Sequence, residues 1–335
     1  MGLRGPYYAH WGVTHRCNLR CRMCTIWKEA ASHRELVGEA VGTLAKNLNR
    51  WKVSSVALGG GEPFVRDDIA DIVSIFSDCG MELRLLTNGY GVSDDQVRGV
   101  VEAGLNHVSI SLDSLDREKQ KEIHAGLEIW DEVVDTMKRF SSRLGSGSVP
   151  IMNVVVSRQN LLELPELVEF AENIGFFCSF VPISLATGPE DDLSPERQDW
   201  FRPGSSEHED LEQIFAKLVA MKRSGAPIAN SSMFLKNSLE YLKTGRIPWR
   251  CDAGRHYISI DPSGGISICH KFPPFTSYSD ADPASTAGSL SNEIREQRST
   301  CSGCMRPCWA ETSHALTNPS AILEAAKTFA RGRRS

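Results

Sequence analysis

Three cysteines carry the first chemical signal of this chain. Cys17, Cys21 and Cys24 lie in Thr14-His15-Arg16-Cys17-Asn18-Leu19-Arg20-Cys21-Arg22-Met23-Cys24. The spacing CxxxCxxC makes a tight arc of thiolates. Three such ligands can hold three irons of a cubane 4Fe–4S cluster and leave the fourth iron without a protein ligand. Iron–sulfur clusters are normally held by four cysteines. A local triplet with no fourth partner therefore suits a cluster that binds and reduces a substrate, since electron transfer has no use for an open iron. A zinc knuckle is the competing reading, although zinc sites usually pair CxxC with a second CxxC or an HxxxH.

A second group of five cysteines, Cys251, Cys269, Cys301, Cys304 and Cys308, lies towards the other end. Cys79 and Cys178 stand alone and read as core residues, because free cysteine is often buried. The chain has 335 residues, enough for one large domain or two moderate ones, and 41% of them are hydrophobic. Its net charge of −5 provides no basic patch for nucleic acid. No apolar run approaches the ~20 residues of a membrane span, and residues 1–6 lack the hydrophobic region of a secretory signal. The expected setting is the cytoplasm, with thiols kept as thiols or metal ligands and not as disulfides.

The elements that must position these groups follow from periodicity. Strands are expected over Tyr7–Val13, Val53–Leu58, Met81–Leu86, His107–Leu112, Ile151–Val156 and Phe177–Ile183. Helical stripes fall between them: Val41, Leu44, Leu48 and Trp51; Ile69, Ile72, Val73 and Phe76; residues 93–103; residues 129–141; Leu164, Leu167, Val168 and Ala171. Such alternation implies βα units and a parallel sheet. Six units make an open (β/α)6 barrel, so the expected class is α/β, a partial TIM-like barrel. Barrel chemistry sits at the C-terminal ends of the strands, where the cysteine loop, Gly59-Gly60-Gly61-Glu62-Pro63, Asn88, Ser111 and Asp113 all fall.

The cysteine spacing resembles the CxxxCxxC motif of radical S-adenosylmethionine (radical SAM) enzymes, and Gly59–Pro63 resembles that family's GGEP motif. The resemblance implies the open barrel, a 4Fe–4S cluster on Cys17, Cys21 and Cys24, and S-adenosylmethionine on its open iron. The residue before the third cysteine is usually aromatic in the family and lies by the adenine; here Met23 takes that place. Gly60 and Gly61 would let the backbone approach the methionine amino group, and Glu62 would shape this loop or accept from the amine. Asn88 and Ser111 are placed to meet the carboxylate or ribose hydroxyls. Asn153 is a lone polar residue in its strand, for the ribose or a neighbouring strand. Arg158 could pair with the methionine carboxylate. A structural role is the alternative for each of these, and Asp113 can equally cap a turn.

Beyond the barrel (1–185) comes a Gly-Pro-acidic loop at 186–192 and then two helices, one carrying Leu211, Ile214, Phe215, Leu218 and Met221 and one over 231–244. They form a bridge (186–245). A small module (246–318) would follow, with a hairpin over Tyr257–Ile260 and Ile266–Ile268, a loop over 272–289 and a short helix over 291–297. A C-terminal helix and basic tail close the chain (319–335). The hairpin folds Cys269 back towards Cys251. This region resembles the SPASM and twitch auxiliary-cluster modules of radical SAM enzymes. Five cysteines imply one auxiliary 4Fe–4S cluster on Cys251 and Cys269 with two of Cys301, Cys304 and Cys308. Cys301 and Cys304 are favoured, and Cys308 can replace either. A zinc ribbon on the same thiols is the alternative.

The resemblance implies an enzyme that cleaves S-adenosylmethionine to a 5′-deoxyadenosyl radical, which abstracts hydrogen from its substrate. The auxiliary cluster would aid a net oxidation. A flavodoxin or ferredoxin would supply electrons. A small molecule is the favoured substrate, because the chain begins almost directly with the first barrel strand, and a peptide is the alternative. There is no sign of a cobalamin domain. Cys178, on the last barrel strand, has a hydrogen-atom donor as its second reading. The rival from another class is a non-catalytic iron–sulfur or zinc protein for electron transfer.

Overall fold

The computed structural model describes residues 6–31, 34–184, 199–281, 283–301 and 303–332; the loop at 186–192 lies outside them. Six parallel strands carry the first part of the chain: β1 (Tyr8–Thr14), β2 (Ser55–Gly60), β3 (Glu82–Thr87), β4 (His107–Ser111), β5 (Ile151–Val156) and β6 (Phe177–Pro182). They lie side by side in chain order, and β6 does not return to pair with β1. This is the open α/β half-barrel that the alternation implies.

Helices cover its outer face: α1 (Glu39–Arg50), α2 (Ile69–Asp78), α3 (Asp94–Glu102), α4 (Arg117–Ile123), α5 (Trp130–Arg143) and α6 (Leu164–Asn173). All but α4 bury the stripe that the sequence spaces for them, such as Val41, Leu44 and Leu48 of α1. Ser93 and Gln96 close a capping box at the start of α3. The short α4 escaped the periodicity. Its buried face is only Gln120 and Ile123, and its start rests on the Asp116 side chain, which accepts from the backbone of Glu118 and Lys119.

Strand register sorts the two faces of the sheet. Trp11 points to the helices and stacks on Phe76 of α2 at 5.4 Å. The neighbouring row, His10, Ala57, Arg84 and His107, faces the barrel interior, as does the row Ser111, Asn153 and Ser179. Cys178 pairs with Met152 on the helix-facing side, and both are fully buried. The Cys178 thiol is therefore a core group that points away from the barrel interior.

Both edges of the half-barrel are covered. On one side β7 (Tyr257–Ile260) pairs in parallel with β1, and β8 (Gly265–Ser267) and β9 (Thr276–Ser277) extend the sheet in antiparallel fashion. The C-terminal hairpin thus continues the barrel's own sheet. On the other side the Cys178 N–H donates to the Pro227 carbonyl at 2.7 Å, and the Ala229 N–H to the Cys178 carbonyl at 2.8 Å. Unpaired strand edges invite wrong association, and here the chain covers its own.

Helices α7 (His208–Ser224) and α8 (Ser232–Thr244) follow the barrel, and α9 (Pro283–Thr300), α10 (Pro307–Thr317) and α11 (Pro319–Gly332) follow the hairpin. Helix α9 begins eight residues before the expected 291–297. Its proline, serine and alanine composition reads as a loop, yet proline suits the first turn of a helix. Among the described residues no helix is long and apolar enough to cross a membrane.

Trp309 of α10 joins the terminal region to the barrel. Its ring stacks on Tyr257 at 4.3 Å and meets Tyr8 at 5.9 Å and His10 at 6.2 Å on the inner face of β1. Removing a buried indole leaves a large cavity. Trp309→Ala is expected to lower stability by about 3–5 kcal/mol in urea denaturation; an unchanged midpoint would show that α10 is only loosely docked.

Candidate active site

The cysteine loop leaves β1 at the C-terminal end of the sheet. Leu19 is sunk into the core at 1% exposure, and a tight turn lets the Cys24 N–H donate to the Cys21 carbonyl at 3.1 Å. Cys17, Cys21 and Cys24 are free thiols, each partly buried. Burial pushes the pKa of all three up, and the charges of Cys24 and Cys17 add to the rise at Cys21. A thiolate is costly in such a place unless a cation meets it, and a coordinating metal centre removes the proton outright. The donor set therefore fits a cluster.

An unforeseen network holds the loop's entry. Arg66, 2% exposed, donates to the carbonyls of Val13 at 2.8 Å and Leu36 at 2.7 Å and forms a bidentate pair with Asp68. Glu35, 3.6 Å from Arg66, accepts from the Thr14 hydroxyl and the Arg16 guanidinium. Nothing in the spacing of Glu35 and Arg66 announced this. Their only sequence signal is proximity to the two motifs.

The glycine motif has a specific structural use. The Gly61 N–H donates to the Thr14 carbonyl at 2.7 Å, and the Glu62 N–H to the Arg16 carbonyl at 2.8 Å. A β-carbon at Gly61 would stand 2.1 Å from the Arg16 carbonyl oxygen. One at Gly60, whose φ is +112°, would stand 2.2 Å from that of Thr14. The close approach is thus to the cysteine loop's own backbone.

Glu62 is fully buried, and its carboxylate accepts from Phe64 N–H at 3.0 Å, the Thr87 hydroxyl at 2.8 Å and Asn88 N–H at 2.7 Å. It shapes the mouth by tying the loop after β2 to the loop after β3. Asn88 in turn donates to the Asn18 side chain at 2.8 Å and lies 3.7 Å from the Cys17 sulfur. Met23 packs partly buried against the main core. Ser111 and Asn153 stand side by side on β4 and β5. Arg158 stands apart, 3.3 Å from Glu207, so a ligand carboxylate there would have to displace that acid. Asp113 accepts from Val155 N–H at 2.7 Å and anchors β5.

The second cysteine group lies around Trp309 and Tyr257. Cys251, Cys269, Cys304 and Cys308 all touch this small apolar cluster. Cys251 lies 2.9 Å from the Tyr257 hydroxyl. Burial raises Cys269 to about 12 and Cys308 to about 11. Cys301 is exposed at the rim. Among the described residues no three histidine, cysteine or acidic side chains converge closely enough for a single metal ion.

Residues 11–171, which hold the cysteine loop, the glycine motif and the barrel strands up to β5, match the model of the Radical SAM superfamily. The chain carries a radical SAM domain. Such a domain implies a 4Fe–4S cluster and S-adenosylmethionine. The "Probable GTP 3′,8-cyclase" of Saccharolobus solfataricus is 33% identical to this chain over 165 residues, 49% of this chain and 52% of that protein. The chain thus matches about half the length of that relative. Two solved structures share the fold beyond the radical SAM domain. Native anSMEcpe with bound AdoMet and Cp18Cys peptide is 15% identical, with a TM-score of 0.63 over 98% of both chains. Streptococcus suis SuiB bound to precursor peptide SuiA is 17% identical, with a TM-score of 0.62 over 84% of this chain and 64% of that one.

Two outcomes test this geometry. Burial lifts the Glu62 carboxyl from its ordinary 4.5 to about 7, against the three donors that favour its charge. Between those values the folded chain keeps a proton that the unfolded chain has released. Stability should therefore fall as pH rises from about 4.5 to 7, by about 3 kcal/mol in all. Urea denaturation across this range should show the slope in the wild type and lose it in Glu62→Gln; equal slopes would refute the assignment. Gly61→Ala forces the two backbones apart. It should cost about 3 kcal/mol and reduce iron uptake by Cys17, Cys21 and Cys24, measured after anaerobic reconstitution.

Proposed function

We propose that this protein is a radical SAM enzyme that abstracts hydrogen from an unreactive C–H bond, and that it carries an auxiliary cluster in its C-terminal region. The observation that carries this reading is the set of three partly buried thiols at the barrel mouth, held by the Arg66 network on one side and the glycine motif on the other. Cys17, Cys21 and Cys24 would hold the 4Fe–4S cluster. Cys251, Cys269, Cys304 and Cys308 would hold the auxiliary one. The exposure of Cys301 and the position of Cys308 beside Trp309 favour this set over the pairing of Cys301 with Cys304. When bound, the first cluster supplies the electron that cleaves S-adenosylmethionine to methionine and a 5′-deoxyadenosyl radical, and the auxiliary one supplies a sink for the substrate's surplus electron.

The chain's own residues position and exclude. Leu19 and Met23 back the cysteine loop with apolar contacts that keep water out. Asn88, Ser111 and Asn153 present polar groups to the methionine carboxylate and ribose. Gly60, Gly61 and Glu62 act through the backbone they hold in place, which leaves the amino group to exposed carbonyls and amides of that loop. A flavodoxin or ferredoxin would deliver the electrons.

The substrate is a small molecule in this reading, in line with relatives whose name is GTP 3′,8-cyclase. A peptide is the second reading, favoured by the likeness over the full chain to a structure holding a peptide.

Anaerobic reconstitution tests the proposal. About eight irons per chain are expected for two cubanes, with 5′-deoxyadenosine formed on adding S-adenosylmethionine and dithionite. Cys21→Ala should abolish that product. Cys308→Ala should lose about four irons and Cys301→Ala none. A Cys21→Ala protein that still cleaves would sink the enzyme assignment. Four irons with zinc would make the C-terminal region a structural metal site. Full iron without cleavage would leave a non-catalytic electron carrier.

A further inference from the structure

One sulfur of the second cysteine group touches a hydroxyl. Residues 251–257 fold back on themselves: the Arg255 N–H donates to the Asp252 carbonyl at 3.0 Å, and the Gly254 N–H to the Tyr257 carbonyl at 2.8 Å. The Asp252 N–H donates to the Ser313 hydroxyl of α10 at 3.3 Å, which fixes the turn against that helix. The turn returns Cys251 to Tyr257, and the Cys251 sulfur lies 2.9 Å from the Tyr257 hydroxyl. The Tyr257 ring is held in place. It is fully buried, it stacks on Trp309 with the two planes 14° apart, and its strand is paired to β1.

Which atom donates depends on the state of the sulfur. A free thiol can give or accept. A thiolate that ligates a metal centre has no proton left and only accepts, so the Tyr257 O–H is then the donor. Hydrogen bonds to cluster sulfurs are one of the levers that set a reduction potential. The reduced state carries the extra negative charge, so a donor stabilises it more than the oxidised state and raises the potential. A second donor in the same apolar cluster supports a group rich in acceptors there. Trp309 is 1% exposed, and its indole N–H has no acceptor among the described residues. A buried donor without a partner is costly. A cluster held by Cys251, Cys269, Cys304 and Cys308, which all pack into this apolar group with Trp309, would bring sulfur acceptors to it.

We propose that Tyr257 tunes the auxiliary cluster: its hydroxyl donates to the Cys251 sulfur and holds the reduction potential above the value that the four thiolates alone would give. This rests on the auxiliary-cluster reading of the terminal region. It gives the stacked Tyr257–Trp309 pair a task beyond packing, since Trp309 fixes the ring that carries the donor. A raised potential suits a group that serves as an electron sink.

The test is an anaerobic potentiometric titration of the reconstituted full chain in a Cys21→Ala background, where the terminal region holds the iron. Tyr257→Phe removes the hydroxyl and keeps the ring on Trp309. It should bind the same iron, about four per chain, and shift the reduction equilibrium about tenfold towards the oxidised state, about 59 mV lower for a one-electron couple. Reconstitution in deuterated water adds a second readout. Electron–nuclear double resonance of the reduced cluster should show a deuteron coupling with Tyr257 present that Tyr257→Phe lacks. A tyrosine with a structural role alone would change stability or iron content and leave the potential of the loaded cluster where it was. Equal potentials at equal iron overturn the inference. So does the absence of a deuteron coupling with Tyr257 present, a result that stands even where Tyr257→Phe fails to load. Iron content separates this inference from the reading beneath it. About four irons with zinc in the wild-type chain sink the auxiliary cluster and the tuning with it, whereas about eight irons with equal potentials sink the tuning alone.

Discussion

Residues 14–16 and 60–62 run so close together that no side chain fits between them. Two hydrogen bonds of 2.7 and 2.8 Å join their backbones, and even a methyl group at Gly61 would collide with the Arg16 carbonyl. The first cysteine follows Arg16 directly, so this contact sets where the cysteine loop begins. The buried Glu62 carboxylate then fastens the same segment to Thr87 and Asn88, and Asn88 reaches back to Asn18 and Cys17. Three βα loops are thereby tied into one rim. The anchor is dry, and a buried carboxyl group left without its hydrogen-bond partners would be costly. Arg66 performs the matching task beneath, holding the carbonyls of Val13 and Leu36.

Thiols held in this way are reluctant to ionise. Burial raises the pKa of Cys17, Cys21, Cys24, Cys251, Cys269, Cys304 and Cys308. Sites built so stay protonated until a metal centre replaces the proton, so cluster loading and proton release are one event.

An open half-barrel has two free strand edges and an accessible interior, and the rest of the chain deals with both. Strand β7 takes up the edge of β1, residues 227–230 cover β6, and Trp309 fills part of the inner face. The C-terminal region is therefore joined to the barrel through shared sheet and shared core. Its cysteines are held at a set place relative to the barrel by the Trp309 contacts with Tyr8 and His10.

Much of this was legible in the order of residues. CxxxCxxC, the glycine run and six strand-and-helix units are local patterns, and local patterns survive in a sequence because backbone periodicity and ligand spacing are short-range. The reading stopped where partners are distant in the chain. Glycines 60 and 61 also lie against the carbonyls of Thr14 and Arg16, a contact that the spacing does not announce. Spacing left Cys301, Cys304 and Cys308 equivalent as partners for Cys251 and Cys269; in space Cys304 and Cys308 both pack against the cluster around Trp309, and Cys301 is exposed. Arg158 looked free, and Glu207 meets it. Arg66 and Glu35 carry no motif at all. By itself the sequence determined the chemistry on offer, namely which thiols, glycines and strands exist and in what order. Only the tertiary structure decided which of them meet, because hydrogen bonding, burial and charge act through space and take no account of separation along the chain.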